Sequence, residues 1–169
     1  MRALVLAAAL VAGCVSSPAP DTHRHYVAAL SGHQQPTDTG SAATGAATFD
    51  VDTATQTVSA HIEIHGLRMA ALSQHLSHMP MGPMHLHRYQ GDDVSLILPF
   101  PMGATYAETA DGFTVSLRDA PYAASAALVH SDLSFERFLA ALDHDPVFLN
   151  LHTERFGDGE ISGRLQARD

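Results

Sequence analysis

Apolar and polar residues alternate along much of this chain with a period of two. The clearest stretch is residues 55–64, TQTVSAHIEI. There Val58, Ala60, Ile62 and Ile64 share one face, and Ser59, His61, Glu63 and the following His65 share the other. Successive side chains of a strand point to opposite faces, so the pattern predicts a strand with one buried side. Residues 24–32, 41–51, 84–89, 94–100, 112–118, 146–153 and 160–166 give further strand predictions, separated by Gly-, Pro- and Asp-containing turns. One segment has a helical period instead. Phe135, Phe138, Leu139 and Leu142 recur at helical spacing, Asp132 or Ser134 can cap the start, and Glu136 suits the positive end of the helix dipole. A weaker helical stretch covers residues 67–75. Many short strands with one or two short helices predict an all-β fold, an antiparallel β-sandwich of the immunoglobulin or superoxide-dismutase kind.

The first residues do not fit that pattern. Residues 1–13, MRALVLAAALVAG, combine a short positive start at Arg2, an apolar run and a small-residue end. This is the pattern of a secretory signal peptide, and the run is too short to span a bilayer. Val11-Ala12-Gly13-Cys14 resembles the bacterial lipobox, in which the cysteine is acylated and becomes the new N-terminus. Residues 15–22, VSSPAPDT, have the composition of a flexible tether. The expected organisation is a signal peptide over 1–13, a lipidated tether over 14–22 and one folded domain over 23–169. The expected location is the cell envelope, with the membrane as partner through the lipid. Val15 is not the aspartate that favours inner-membrane retention, so in a Gram-negative cell the outer membrane is expected.

Composition narrows the possible chemistry. The chain has 169 residues and a formal net charge of -9, and all nine of its basic residues are arginines. An acidic chain lacks the basic face that nucleic-acid binding needs, and no polybasic patch supports the lipid anchor. The single cysteine, Cys14, excludes an internal disulfide and a multi-cysteine zinc site. The chain contains no His-Glu-X-X-His, no Gly-X-Ser-X-Gly and no phosphate-binding glycine loop. It does contain twelve histidines.

Several segments together resemble the CHRD domain, which occurs in animal chordins and in many bacterial secreted proteins. Tyr26–Gly32 (YVAALSG) comes first, followed by Thr44–Phe49 (TGAATF) and the alternating strand that ends at Gly66-Leu67. His85-Leu86-His87 resembles the family's His-Ile-His element. The end of the chain, VFLNLHT over 147–153 and GEISGRL over 159–165, resembles the family's closing strands. Residues 33–37, HQQPT, depart from the family's Glu-Val-Pro-Pro, and residues 67–85 are longer and rich in His and Met. The resemblance implies an extracytoplasmic β-sandwich over 23–169. It implies no settled activity.

His85 and His87 lie two apart on a predicted strand and so project from one face, while Met84 and Leu86 face the core. Two neutral imidazoles form half of a zinc or copper site. A third ligand must come from another strand. On 147–152, Val147, Leu149 and Leu151 take one face and Phe148, Asn150 and His152 the other, and His152 falls where the resemblance places a histidine. An isolated His-X-His is more often a solvated strand face. In favour of a metal, the order of these pieces is similar to that in copper–zinc superoxide dismutase. The segment before them also adds His75, His78, Met79 and Met81 as further candidate ligands. Thioethers suit Cu(I) and imidazoles suit copper or zinc, so copper is expected first and zinc second. The Met-rich segment is equally an apolar lid or a partner-binding patch. Ligand distances near 2 Å require the three imidazoles to converge within roughly 3–4 Å. His61 and His65 flank Glu63 on one strand face, which reads more readily as a solvated patch than as a second site.

Three functions follow. The first is a lipid-anchored envelope protein that binds copper through His85, His87 and His152. The second is a non-catalytic protein-interaction module. The third is a superoxide-dismutase-like copper enzyme, ranked lower because the disulfide and a clear zinc loop are missing. Catalysis is therefore not the leading expectation, and no residue is assigned a catalytic role.

Overall fold

A computed structural model describes residues 21–34 and 36–168. The leader, Cys14 and the tether as far as residue 20 lie outside the described residues.

The alternating segments form strands. In chain order they are β1 (His23–Ser31), β2 (His33–Gln34), β3 (Thr37–Asp38), β4 (Thr44–Asp52), β5 (Thr57–His65), β6 (Met84–Gln90), β7 (Asp93–Phe100) and β8 (Tyr106–Glu108). They continue with β9 (Gly112–Pro121), β10 (Val147–Leu151), β11 (Ile161–Arg164) and β12 (Gln166–Arg168). Apart from the small β2–β3 hairpin, all belong to one antiparallel sheet in the order β7-β6-β10-β11-β1-β4-β5-β9-β8, with β12 paired to β1. The fold is all-β, as expected. Its two facing layers are the halves of one curled sheet. Phe49 of β4 meets Phe100 of β7 edge-on at 6.2 Å, although four strands lie between them in the sheet. The core is the inner face: Tyr26, Leu30, Phe49, Ile62, Ile64, Met84, Leu86, Phe100, Phe113, Leu149 and Leu151 are all buried there. Val58, Ala60, Ile62 and Ile64 of β5 face inward as their spacing predicts.

The two ends of the sheet approach each other. The Tyr106 hydroxyl of β8 donates to the Phe100 carbonyl of β7 at 2.9 Å. Helix α2 (Tyr122–Leu128) packs on β7 and β9 and covers an exposed sheet edge, which otherwise invites pairing with another chain. The sequence did not predict α2 or β8. Helix α3 (Phe135–His144) is the predicted helix, and Ser134 is its cap, accepting from the Arg137 amide at 3.3 Å. Its apolar face brings Phe138 onto Tyr122, with ring centroids 4.3 Å apart. Its far end is tied to the sheet by Tyr26, whose hydroxyl donates to Asp143 at 2.7 Å.

The weak helical prediction over 67–75 resolves into two pieces. A 3-10 turn covers Met69–Ala71, and one α-turn, α1, covers Gln74–Ser77. The break is Leu72, which is extended, fully buried and bridged to Thr153. That pairing outweighs helix propensity and fixes the histidine- and methionine-rich segment against the end of β10.

Candidate metal centre

The β6–β10 pair builds the centre. Its register sets His85 opposite Asn150 and His87 opposite Phe148. Met84, Leu86, Leu149 and Leu151 point into the core. His85 and His87 therefore share the other face with Asn150, and His152 follows two residues later. The sheet is held firmly here. Arg88 of β6 donates from Nε to Asp145 at 2.6 Å, joining β6 to the corner between α3 and β10.

This face is not solvated as an outer face would be. His85 is 3 % exposed and His152 is 6 % exposed. The cover comes from two segments clipped onto His152. Its amide donates to the Pro83 carbonyl at 2.8 Å, and its carbonyl accepts from the Ser73 amide at 3.1 Å. The Gln74 amide donates to Glu154, and the Glu154 amide donates to the Ala71 carbonyl at 3.0 Å. The loop after β10 is braced by the buried carboxylate of Glu160. It accepts from the Thr153 hydroxyl and the Ser41 hydroxyl, both at 2.7 Å.

Ligand atoms of His85, His87 and His152 all lie within 4.8 Å of one another. The His85 ring is 4.5 Å from His87 and 4.6 Å from His152, centroid to centroid. Backbone carbonyls select the tautomers. Nδ1 of His85 donates to Gly82 at 3.3 Å, and Nδ1 of His152 donates to Gly157 at 2.8 Å. Both rings then keep a lone pair on Nε2, the second-contact arrangement usual for metal-binding histidines. Nδ1 of His87 and Nε2 of His152 are buried without a partner. Such orphaned nitrogens cost free energy unless something is placed between them. Tetrahedral ligands near 2.0–2.1 Å from a metal sit about 3.3 Å apart. The 4.8 Å limit is wider than the expected convergence of roughly 3–4 Å. The group has the geometry to hold a metal ion.

Electrostatics favours the neutral, ligating form. Burial pushes His85 down to about 3, helped by the charges His152 and His87 would carry, and opposed by the Gly82 carbonyl. Burial pushes His87 down to about 4, with His152 adding to the effect. His152 is lowered by burial against the pull of Gly157 and Asp158. An unfolded histidine takes a proton near 6.5, well above the folded values of His85 and His87. The metal-free protein therefore has its full stability above pH 6.5 and loses it as the pH falls toward 4. His85 and His87 each add a slope of up to about 1.4 kcal/mol per pH unit in that window. Thermal melts of metal-free protein between pH 7 and 4.5 should show this slope. Replacing the three histidines with Ala should flatten it.

The family model of the CHRD domain matches residues 26–165. The chain belongs to the CHRD family. No curated protein and no solved structure matches it. Within this CHRD domain, the histidine pair of β6 and the histidine after β10 form one group, as their strand spacing suggested.

The other candidate ligands stand apart from that group. His75 and His78 are exposed, and Nδ1 of His78 donates to the Gln74 carbonyl at 2.7 Å. Met79 is 39 % exposed and Met81 is half-buried. His61 and His65 are exposed, His61 contacting Glu63 at 3.3 Å and His65 contacting Asp111 at 3.3 Å. Sequence reading missed the residues that shape the centre. Gly82 and Gly157 act through backbone carbonyls, and Glu160 braces a loop from a distance. A Gly beside a Pro, as in Gly82-Pro83, was the available signal for a turn of unusual backbone geometry.

Proposed function

We propose that this CHRD protein is exported, anchored by lipid on Cys14, and binds copper in the cell envelope through His85, His87 and His152. The observation that carries the metal reading is the convergence of three imidazoles, two buried and one half-buried, two of them with nitrogens left unpartnered. Copper is favoured over zinc because divalent copper binds a given nitrogen site more tightly, and because the adjacent segment carries thioethers. Met81 adjoins Gly82, whose carbonyl holds His85. Export and anchoring are supported by the leader and by the Val11-Ala12-Gly13-Cys14 sequence. The site would bind, store or deliver the ion, and no reaction is required of it.

Two measurements test the proposal. Competition titration of the purified protein with Cu(I), Cu(II) and Zn(II) should give one copper per chain that equimolar zinc does not displace. Zinc binding with copper excluded would overturn the choice of metal. In bacteria making the full chain, the protein should sediment with membranes and partition into detergent. The Cys14→Ser variant should lose both properties. Equal partitioning of the two would overturn the anchor.

A further inference from the structure

Asn150 is the polar neighbour of the three histidines that the proposed metal does not use. It is 2 % exposed, and its side-chain carbonyl Oδ1 is buried without a hydrogen-bond partner. Its Cα is in register with His85 across the β6–β10 pair, and His152 is two residues further along the chain. Directly opposed strand residues on one face bring their Cβ atoms to about 5 Å. Asn150 therefore lies beside the histidine group. Gly159 bounds it on the loop side: a Cβ there would lie 3.8 Å from the Asn150 Cβ. Burial makes the Tyr89 hydroxyl harder to ionise, and the Asn150 side chain opposes that shift. The carbonyl is the unpaired end of the side chain.

A buried amide oxygen without a donor costs of the order of 1–3 kcal/mol, and native folds seldom leave one so. Three histidines leave a fourth position on a tetrahedral ion. A small ligand there that carries a proton supplies the missing donor. We propose that Asn150 lines this fourth position and accepts a hydrogen bond from the ligand that fills it, water in the resting protein. The inference rests on the metal reading above. It adds that the centre is open, and that it selects small hydrogen-bond donors over anions that carry no proton.

Azide is a suitable probe because it can bind copper but cannot donate to Asn150. Cu(II)-loaded protein would be titrated with azide and followed by its visible charge-transfer band. Asn150→Leu removes the acceptor at similar volume. It should keep one copper per chain and bind azide about tenfold more tightly, the scale of one hydrogen bond. Asn150→Asp supplies a stronger acceptor and a negative charge, and should weaken azide by about tenfold or more. Either shift alone tests the role of Asn150 if only one variant folds well enough to be measured. Azide affinities equal to wild type in copper-loaded variants would overturn the role of Asn150. Loss of copper in Asn150→Leu would also overturn it, because the side chain would then be holding the ion or the fold. Failure of the wild type to bind copper, seen in the metal titration, would instead remove the reading on which the inference rests.

Discussion

Replacing His85, His87 and His152 together with Ala is expected to abolish stoichiometric metal binding while leaving the fold intact. The three rings lie on the face of β6 and β10 opposite the core, so the inner packing of Met84, Leu86, Leu149 and Leu151 is retained. The wild type gains stability from the ion by mass action. A free-metal concentration of 100 times the dissociation constant adds about 2.7 kcal/mol. For a domain of this size that raises the melting temperature by about 5–10 °C. The triple variant should show no metal-dependent rise at any concentration. Each single Ala variant should weaken binding by about 100-fold or more, because two imidazoles form an incomplete site. A triple variant that melts higher with metal, as the wild type does, would place the ion elsewhere. The metal-free triple variant should also melt at least as high as the wild type at pH 5. It no longer has to bury imidazoles that the unfolded chain would protonate.

The second large effect is expected at Gly82. Its φ is +70°, and a Cβ built there would lie 1.9 Å from the Phe100 carbonyl oxygen. That oxygen also accepts from Tyr106 at the seam of the sheet, so it cannot yield easily. Gly82→Ala should therefore cost about 3 kcal/mol or more, the sum of left-handed backbone strain and a clash with main chain. It should also weaken metal binding, because the Gly82 carbonyl holds Nδ1 of His85. Gly40→Ala is the matching control. Gly40 has φ +65° but nothing within 4 Å of the new Cβ, so only the backbone term of about 1 kcal/mol remains. Denaturant unfolding of the two variants measures both, and equal losses would contradict the clash. A stable Gly82→Ala protein with full metal affinity would remove the Gly82 turn from the account of the centre.

What could be read from the sequence follows from how each element is stabilised. β5 was legible because one face is buried and the other wet, so its alternation is written residue by residue. α3 was legible because its apolar stripe packs on the sheet and Ser134 marks its start. The facing of His85, His87 and His152 followed from strand parity alone. α2 was not legible, since four of its seven residues are alanine and its stability comes from covering the sheet edge. The burial of the histidine group was not legible either. It depends on contacts distant in sequence, such as Ser73 to His152, Gln74 to Glu154 and Ser41 to Glu160. Parity assigned the face, and only the tertiary fold could cover it. The further ligands proposed from the His- and Met-rich segment illustrate the same limit. Spacing in a loop does not determine direction, and His78 is turned back onto the Gln74 carbonyl.

The central claim is that His85, His87 and His152 together hold one metal ion. X-ray absorption spectroscopy of the copper-loaded protein tests it most directly, because the imidazole ring gives a characteristic outer-shell scattering pattern. The expected spectrum has three imidazole nitrogens at about 2.0 Å, with any fourth scatterer light and exchangeable. That pattern should disappear from the triple Ala variant. A first shell dominated by sulfur, or fewer than two imidazoles around the ion, would contradict the account.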